Sequence, residues 1–203
     1  MLVGKISTDL WNHRYFAVRT SGPRSQGPVE RQTSHPGLPQ SMKNAQRRMR
    51  LVIMRHGWAK DRADWMAPDA VRPLTAEGRK RTRAVAQAVA PLIGELGMIC
   101  TSPWLRALTT AEIAGKAWDL PVEEHHWLAG EGFSARDRLD RLPHEDIALV
   151  GHEPDLGELI GLLTGGPDIP LKKAGIAVLT GQPFDGGMRL ELLLTPAAIL
   201  GVR

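Results

Sequence analysis

Leu51-Val52-Ile53-Met54-Arg55-His56-Gly57 is the stretch on which the reading of this chain turns. Four consecutive apolar residues suit a strand buried on both faces of a parallel sheet. The run ends at once on two groups that handle anions, a guanidinium and an imidazole. In open α/β sheets, ligands bind beyond the carboxyl ends of the strands. Arg55 and His56 therefore stand where such a sheet places its chemistry.

The same grammar recurs downstream. Met98 to Thr101 reads as a second short strand, followed by Ser102-Pro103-Trp104-Leu105-Arg106. Ile147 to Val150 reads as a third, followed by Gly151-His152. Between and after them lie helices. Thr75 to Ile93 carries a capping Thr75, an acid at Glu77 in the first turn, and an apolar face of Val85, Ala86, Val89 and Leu92. A second helix opens at Pro103, a favourable first position for proline. It runs to about Ala117, with Leu105, Leu108, Ala111 and Ile113 on its inner side. A third spans Pro154 to Leu163. Two more strands, Ala174 to Leu179 and Arg189 to Thr195, flank Gly186-Gly187 as a hairpin would. Alternating strands and helices predict an α/β fold, a three-layer sandwich around a mostly parallel sheet. Arg55, His56, Arg106 and His152 then converge at one edge of it.

Those four residue types suit a phosphoryl group. Its charge is spread over equatorial oxygens, and catalysis consists mainly of positioning and charge stabilisation. The planar fork of arginine donates bidentately to phosphate. A histidine that is neutral near pH 7 can act as nucleophile and divide the displacement into two steps. Any one of the four would pass as an ordinary structural residue. Their joint placement, each following a buried strand or opening the next helix, points to a site.

The motifs resemble those of the histidine phosphatase superfamily, which includes the phosphoglycerate mutases. Leu51 to Gly57 resembles its strand and Arg-His-Gly motif. Ser102-Pro103-Trp104-Leu105-Arg106-Ala107-Leu108-Thr109-Thr110 resembles its second arginine motif. Leu149-Val150-Gly151-His152-Glu153-Pro154 resembles its second histidine motif, and Arg72-Pro73-Leu74-Thr75 with Glu77-Gly78 a further segment. The similarity is to the small SixA-type phosphohistidine phosphatases and spans about residues 49 to 200. It implies a phosphoglycerate mutase-like fold without a cap insertion. It implies that His56 takes the phosphoryl group, that Arg55, Arg106 and His152 hold its oxygens together with Gly57, and that no metal or organic cofactor takes part.

Two departures stand out. Many members carry an acid that protonates the leaving oxygen, and no residue here matches it convincingly. Glu131, by its order in the chain, and Asp69, three residues before Arg72, are the candidates, each also readable as an ordinary surface acid. Trp58 occupies a place where SixA-like sequences often have a small or acidic residue. A missing donor favours a leaving group that departs unaided, as the imidazole of phosphohistidine does. The short segment from Gly57 to Ser102 leaves the site open to a protein. The expected substrate is a phosphohistidine-bearing protein. The alternative is a small phosphomonoester or anhydride.

The overall net charge of +4 is unevenly spread. Residues 1 to 50 hold nine basic and two acidic residues, whereas the remainder holds seventeen and twenty, a net of −3. Residues 1 to 48 are rich in Ser, Gly and Pro without a core-forming period, and are expected to be a disordered basic extension ahead of a domain at 49 to 203. A targeting segment, a functional arm and an upstream start ahead of Met49 all remain open for them. The extension lacks the interleaved aromatics of a nucleic-acid stacking platform. No apolar run is long enough to span a bilayer. The single cysteine, Cys100, lies in an apolar run and reads as a buried small hydrophobe, so no disulfide forms within the chain. A cytoplasmic enzyme is the expectation.

Overall fold

The computed structural model describes residues 48–130 and 132–201. The expectations for residues 1–47 and for Glu131 fall outside them.

The run that opens the domain becomes β1, Met49–Arg55, with Leu51, Val52, Ile53 and Met54 fully excluded from solvent. Alternation across the strand explains why all four are apolar. Leu51 and Ile53 point into one core cluster with Ile147 and Leu149 of β4 (Ile147–Gly151). Val52 and Met54 point into the other with Ala148 and Val150. Each face is covered by helices. On the first side Leu156, Leu159, Ile160 and Leu163 of α4 (Asp155–Thr164) pack with Leu139 of α3 (Ala135–Leu139). On the second, Val85, Ala86 and Val89 of α1 (Ala76–Val89) pack with Ala107, Ala111 and Ala114 of α2 (Leu105–Trp118). This is the expected three-layer α/β sandwich.

The six-stranded sheet has the order β3-β2-β4-β1-β5-β6, with β2 at Met98–Thr101, β3 at Val122–Glu124, β5 at Ile176–Gly181 and β6 at Met188–Leu194. β1, β2, β3 and β4 pair in parallel, while β5 pairs antiparallel with both β1 and β6. β1 lies inside the sheet between β4 and β5, two strands that come from far along the chain. The β5–β6 hairpin closes through Gly186-Gly187 as expected. A short helix, α5 (Pro196–Leu200), follows β6.

Several details depart from the sequence reading. The second helix starts at Leu105 with Trp104 as its N-cap, so Pro103 lies just outside it. Of the expected inner residues Ala111 and Ile113 are buried, whereas Leu105 and Leu108 are only partly so, and Ala107 and Ala114 complete the stripe that packs on the sheet. Leu92 is exposed and Ile93 buried in its place. The chain tightens to a 3₁₀ turn over Ala90–Leu92, beginning with Pro91 in its first turn, which shifts the helical phase. β3, α3 and α5 span only three to five residues each, too short for a period to show. Cys100 is fully buried, and burial pushes its thiol up to about 12, which makes it inert.

Candidate active site

The carboxyl ends of β1, β2 and β4 are tied together by their own backbones. His56 N–H donates to the Gly151 carbonyl at 3.0 Å and Ser102 N–H to the Val150 carbonyl at 3.0 Å. These bonds extend the parallel ladder by one residue and set the three following loops side by side. The four expected residues meet there. His56, Arg106 and His152 are each buried, and Arg55 is half-buried.

His56 has a fixed tautomer. Its Nδ1 lies 2.8 Å from the Gly57 carbonyl, which can only accept, so Nδ1 carries the proton. Nε2 then presents a lone pair, and Arg106 Nε donates to it at 3.3 Å. Gly57 was expected among the substrate-binding residues. Its two backbone groups are instead engaged in building the site, the carbonyl with His56 and the N–H with Thr110 Oγ1 at 3.0 Å. Only glycine fits at this position, since a Cβ would stand 2.1 Å from Thr82 Oγ1 of α1. Thr110 passes the restraint on by donating to the Arg106 carbonyl at 2.7 Å.

His152 is ordered in the same manner by a residue whose role the sequence had not marked. Ser102 Oγ accepts from Trp104 N–H at 3.2 Å and lies 2.9 Å from His152 Nε2. The hydroxyl can both donate and accept, so this bond holds whichever ring nitrogen carries the proton, and it leaves the other nitrogen, Nδ1, to the site. That Nδ1, like Nε of Arg55, is buried without a hydrogen-bond partner among the described residues. Buried polar nitrogens left unpaired are costly, and these two stand together at the carboxyl edge of the sheet. The rings of His56 and His152 lie 5.2 Å apart, and Trp104 packs against His152 at 4.8 Å.

Arg55 is held through a relay. Its NH1 donates to the Leu171 carbonyl at 2.8 Å, and Leu171 N–H donates to Glu153 Oε1 at 2.9 Å. Glu153 follows His152 in the chain, so one motif supplies both an imidazole and the brace for Arg55. Burial raises its carboxyl above the ordinary value.

Asp69 proves to be no ordinary surface acid. Its carboxylate pairs with Arg106 at 3.0 Å and with Arg72 at 2.6 Å, and its carbonyl accepts from Arg106 NH1 at 2.8 Å. Burial alone would raise this carboxyl. The hydrogen bond from Arg72 and the charges of Arg106, Arg72 and Arg62 outweigh that and hold it below its usual value. Asp69 is thus a fixed anion that orients Arg106.

Burial, reinforced by the charges of Arg106, Arg55 and Arg72 and opposed by the hydrogen bond to Gly57, pushes the His56 imidazole down to about 3. Burial and the neighbouring His56 and Arg106 take His152 down to about 2. Both rings are neutral at physiological pH. No group of three or more metal-ligating side chains occurs among the described residues, nor any helix long and apolar enough to cross a membrane.

Two neutral imidazoles and two guanidinium groups at the carboxyl edge of a largely parallel sheet define an α/β enzyme that handles phosphoryl groups. Comparison with known proteins makes this specific. The family model of the histidine phosphatase superfamily (branch 1) matches residues 51–141. An uncharacterised protein of Picosynechococcus sp. is 41% identical over 141 residues, covering 63% of this chain and 82% of that protein. The phosphohistidine phosphatase SixA of Escherichia coli (strain K12) is 32% identical over 130 residues, covering 61% and 79%. The structure of the protein histidine phosphatase SixA complexed with tungstate superposes with a TM-score of 0.64 at 27% identity, covering 73% of this chain and 98% of that one. The chain belongs to the histidine phosphatase superfamily, and its likeness runs to the SixA type within it.

Proposed function

We propose that this phosphatase removes phosphate from a phosphohistidine of a partner protein, through a covalent intermediate on His56. The observation that carries the reading is a fixed, neutral His56 whose neighbouring carboxylate, Asp69, is held ionised by Arg72 and Arg106.

The steps follow from the groups described. A phosphoryl oxygen takes the hydrogen bond that Arg106 gives to His56, which frees the Nε2 lone pair for in-line attack on phosphorus. Arg55 Nε–H, the Arg106 guanidinium and the unpaired Nδ1 edge of His152 bind the equatorial oxygens. Their charge and hydrogen bonds match the anion that spreads over those oxygens in the transition state. As the new N–P bond forms, the bond to the leaving nitrogen breaks. A substrate imidazole protonated on its far nitrogen takes the electron pair and departs as a neutral ring. Water then attacks phosphorus, and His56 recovers its lone pair as inorganic phosphate leaves. Asp69 stays ionised throughout and has no proton to give, which suits a nitrogen leaving group and handicaps an alkoxide. Tungstate is a tetrahedral oxyanion like phosphate, and its presence in the related SixA structure supports an anion site of this kind.

The test has two arms. His56→Ala abolishes turnover and removes an acid-labile phosphoenzyme, read by quenched-flow labelling. Wild-type kcat/KM is much greater for phosphohistidine and aryl phosphates than for alkyl phosphates. Near-normal turnover by His56→Ala removes the nucleophile assignment. Efficient hydrolysis of alkyl phosphates makes the enzyme a small-molecule phosphomonoesterase.

A further inference from the structure

Beside the phosphoryl site lies an open depression of about 510 Å³, lined by Arg55, Trp58, Arg81, Lys172, Lys173 and the start of α5. Four of its lining side chains are cationic and none is acidic. No ion pair with a carboxylate is formed by Arg81, Lys172 or Lys173 among the described residues. Such a concentration stands out in a chain whose residues 51 to 203 sum to −3. The phosphoryl group does not account for it, since Arg55, Arg106 and the two imidazoles already serve that group.

The cations are also held in place. The Arg81 guanidinium lies over the Trp58 ring, 4.1 Å from its centroid, which explains an aromatic residue directly after the Arg-His-Gly motif. Lys172 and Lys173 sit on a turn anchored to the nucleophile's own backbone. Ala174 N–H donates to the carbonyls of Arg55 and His56 at 3.1 and 3.0 Å, and Gly175 N–H to the Lys172 carbonyl at 2.6 Å. Ala174 adopts a left-handed φ of 56° to do so. A non-glycine residue there costs of order 1 kcal/mol and persists only where surrounding structure imposes it. The turn thus presents two exposed lysines at a fixed place relative to His56.

We infer that this shelf docks acidic side chains flanking the phosphohistidine of the substrate protein, with Lys172, Lys173 and Arg81 as the specificity-determining residues. The inference rests on the proposed phosphohistidine activity and adds the surface that recognises the carrier. Trp58, Pro196 and Ala197 supply an apolar floor for the chain between the acidic groups. Complementary charge of this kind acts chiefly on encounter and is screened by salt.

The probes are three synthetic phosphohistidine peptides of equal length, flanked by Asp and Glu, by Ser, or by Lys, alongside phosphoramidate, which has no flanks. With the full chain at low salt, kcat/KM for the acidic peptide exceeds that for the neutral one by roughly tenfold, and the basic peptide is poorest. The ranking shrinks as ionic strength rises towards about 0.5 M, where the Debye length falls below about 5 Å. Lys172→Glu with Lys173→Glu abolishes or reverses the ranking and leaves phosphoramidate turnover within about twofold, as expected for surface substitutions away from the reacting atoms. Arg81→Gln reduces it in part. Equal turnover of the three peptides overturns the docking surface and leaves the phosphohistidine activity standing. Equal losses on peptide and phosphoramidate show that the lysines act on the phosphoryl group itself, which also overturns it. Turnover of alkyl phosphates without any phosphohistidine peptide overturns the activity and the docking surface together.

Discussion

Burying two neutral imidazoles makes the stability of this protein depend on pH in a defined window. In the unfolded chain His56 and His152 bind protons as pH falls through about 6.5. In the folded chain they resist protonation down to about 3 and about 2, burial being the main cause in both. Below about pH 6.5 the unfolded state therefore holds more protons, and stability falls as pH falls until the folded rings protonate. Each ring contributes about 1.4 kcal/mol per pH unit once its unfolded form is fully charged. Between pH 6 and pH 5 the two together cost about 2.5 kcal/mol, a sizeable part of the roughly 5–15 kcal/mol of an ordinary domain. Asp155 and Glu153, raised by burial, pull the other way at lower pH. The assay is urea denaturation at half-unit steps from pH 7.5 to 5.0, for wild type and for His56→Asn with His152→Asn. The double variant, lacking both rings, loses most of the slope between pH 6 and 5. Proton NMR of the imidazole C–H resonances provides an independent check, since neither ring titrates above pH 5. Equal slopes in the two proteins, or a site ring titrating near pH 6.5, would show that the buried imidazoles are not the source of the pH dependence.

Other expectations concern the groups around the imidazoles. Asp69→Asn lowers kcat/KM by roughly 3- to 10-fold on every substrate, because it loosens Arg106 through a pair worth about 1 kcal/mol. A loss of about 10²-fold or more confined to alkyl phosphates would identify Asp69 as a general acid instead. Glu153→Ala frees the buried Leu171 N–H, costs about 1–3 kcal/mol of stability, and raises KM through a displaced Arg55. Glu153→Gln keeps an acceptor oxygen and restores most of both; if the two variants behave alike, the relay through Leu171 is not what positions Arg55. Excess chelator leaves turnover unchanged, since the charge is supplied by Arg55 and Arg106, and a loss reversed by a divalent ion would contradict the mechanism.

The α/β architecture and the gathering of four polar groups at one sheet edge are legible in the local pattern of the chain. Leu51 to Met54 and Ile147 to Val150 are apolar at every position because their strands are covered on both faces, and that pattern is local. The residues just past such strands fall at the sheet's carboxyl edge whatever the rest of the chain does, so Arg55, His56, Arg106 and His152 were legible from their positions. How these groups are held and charged follows from contacts made only in the folded chain. Ser102 holds the His152 ring by a hydrogen bond from fifty residues away. Glu153 braces Arg55 through a backbone amide eighteen residues on. Asp69 reads as surface acid in the chain and becomes a buried partner's counter-ion in the fold. Lys172 and Lys173 come beside Trp58 and Arg81 only because β5 pairs with β1 and carries the preceding turn back to His56. Hydrogen bonds and charge interactions depend on distances through space, which a linear pattern does not encode. Burial itself, the main cause of the neutral imidazoles, exists only once the sheet and its helices have closed around them.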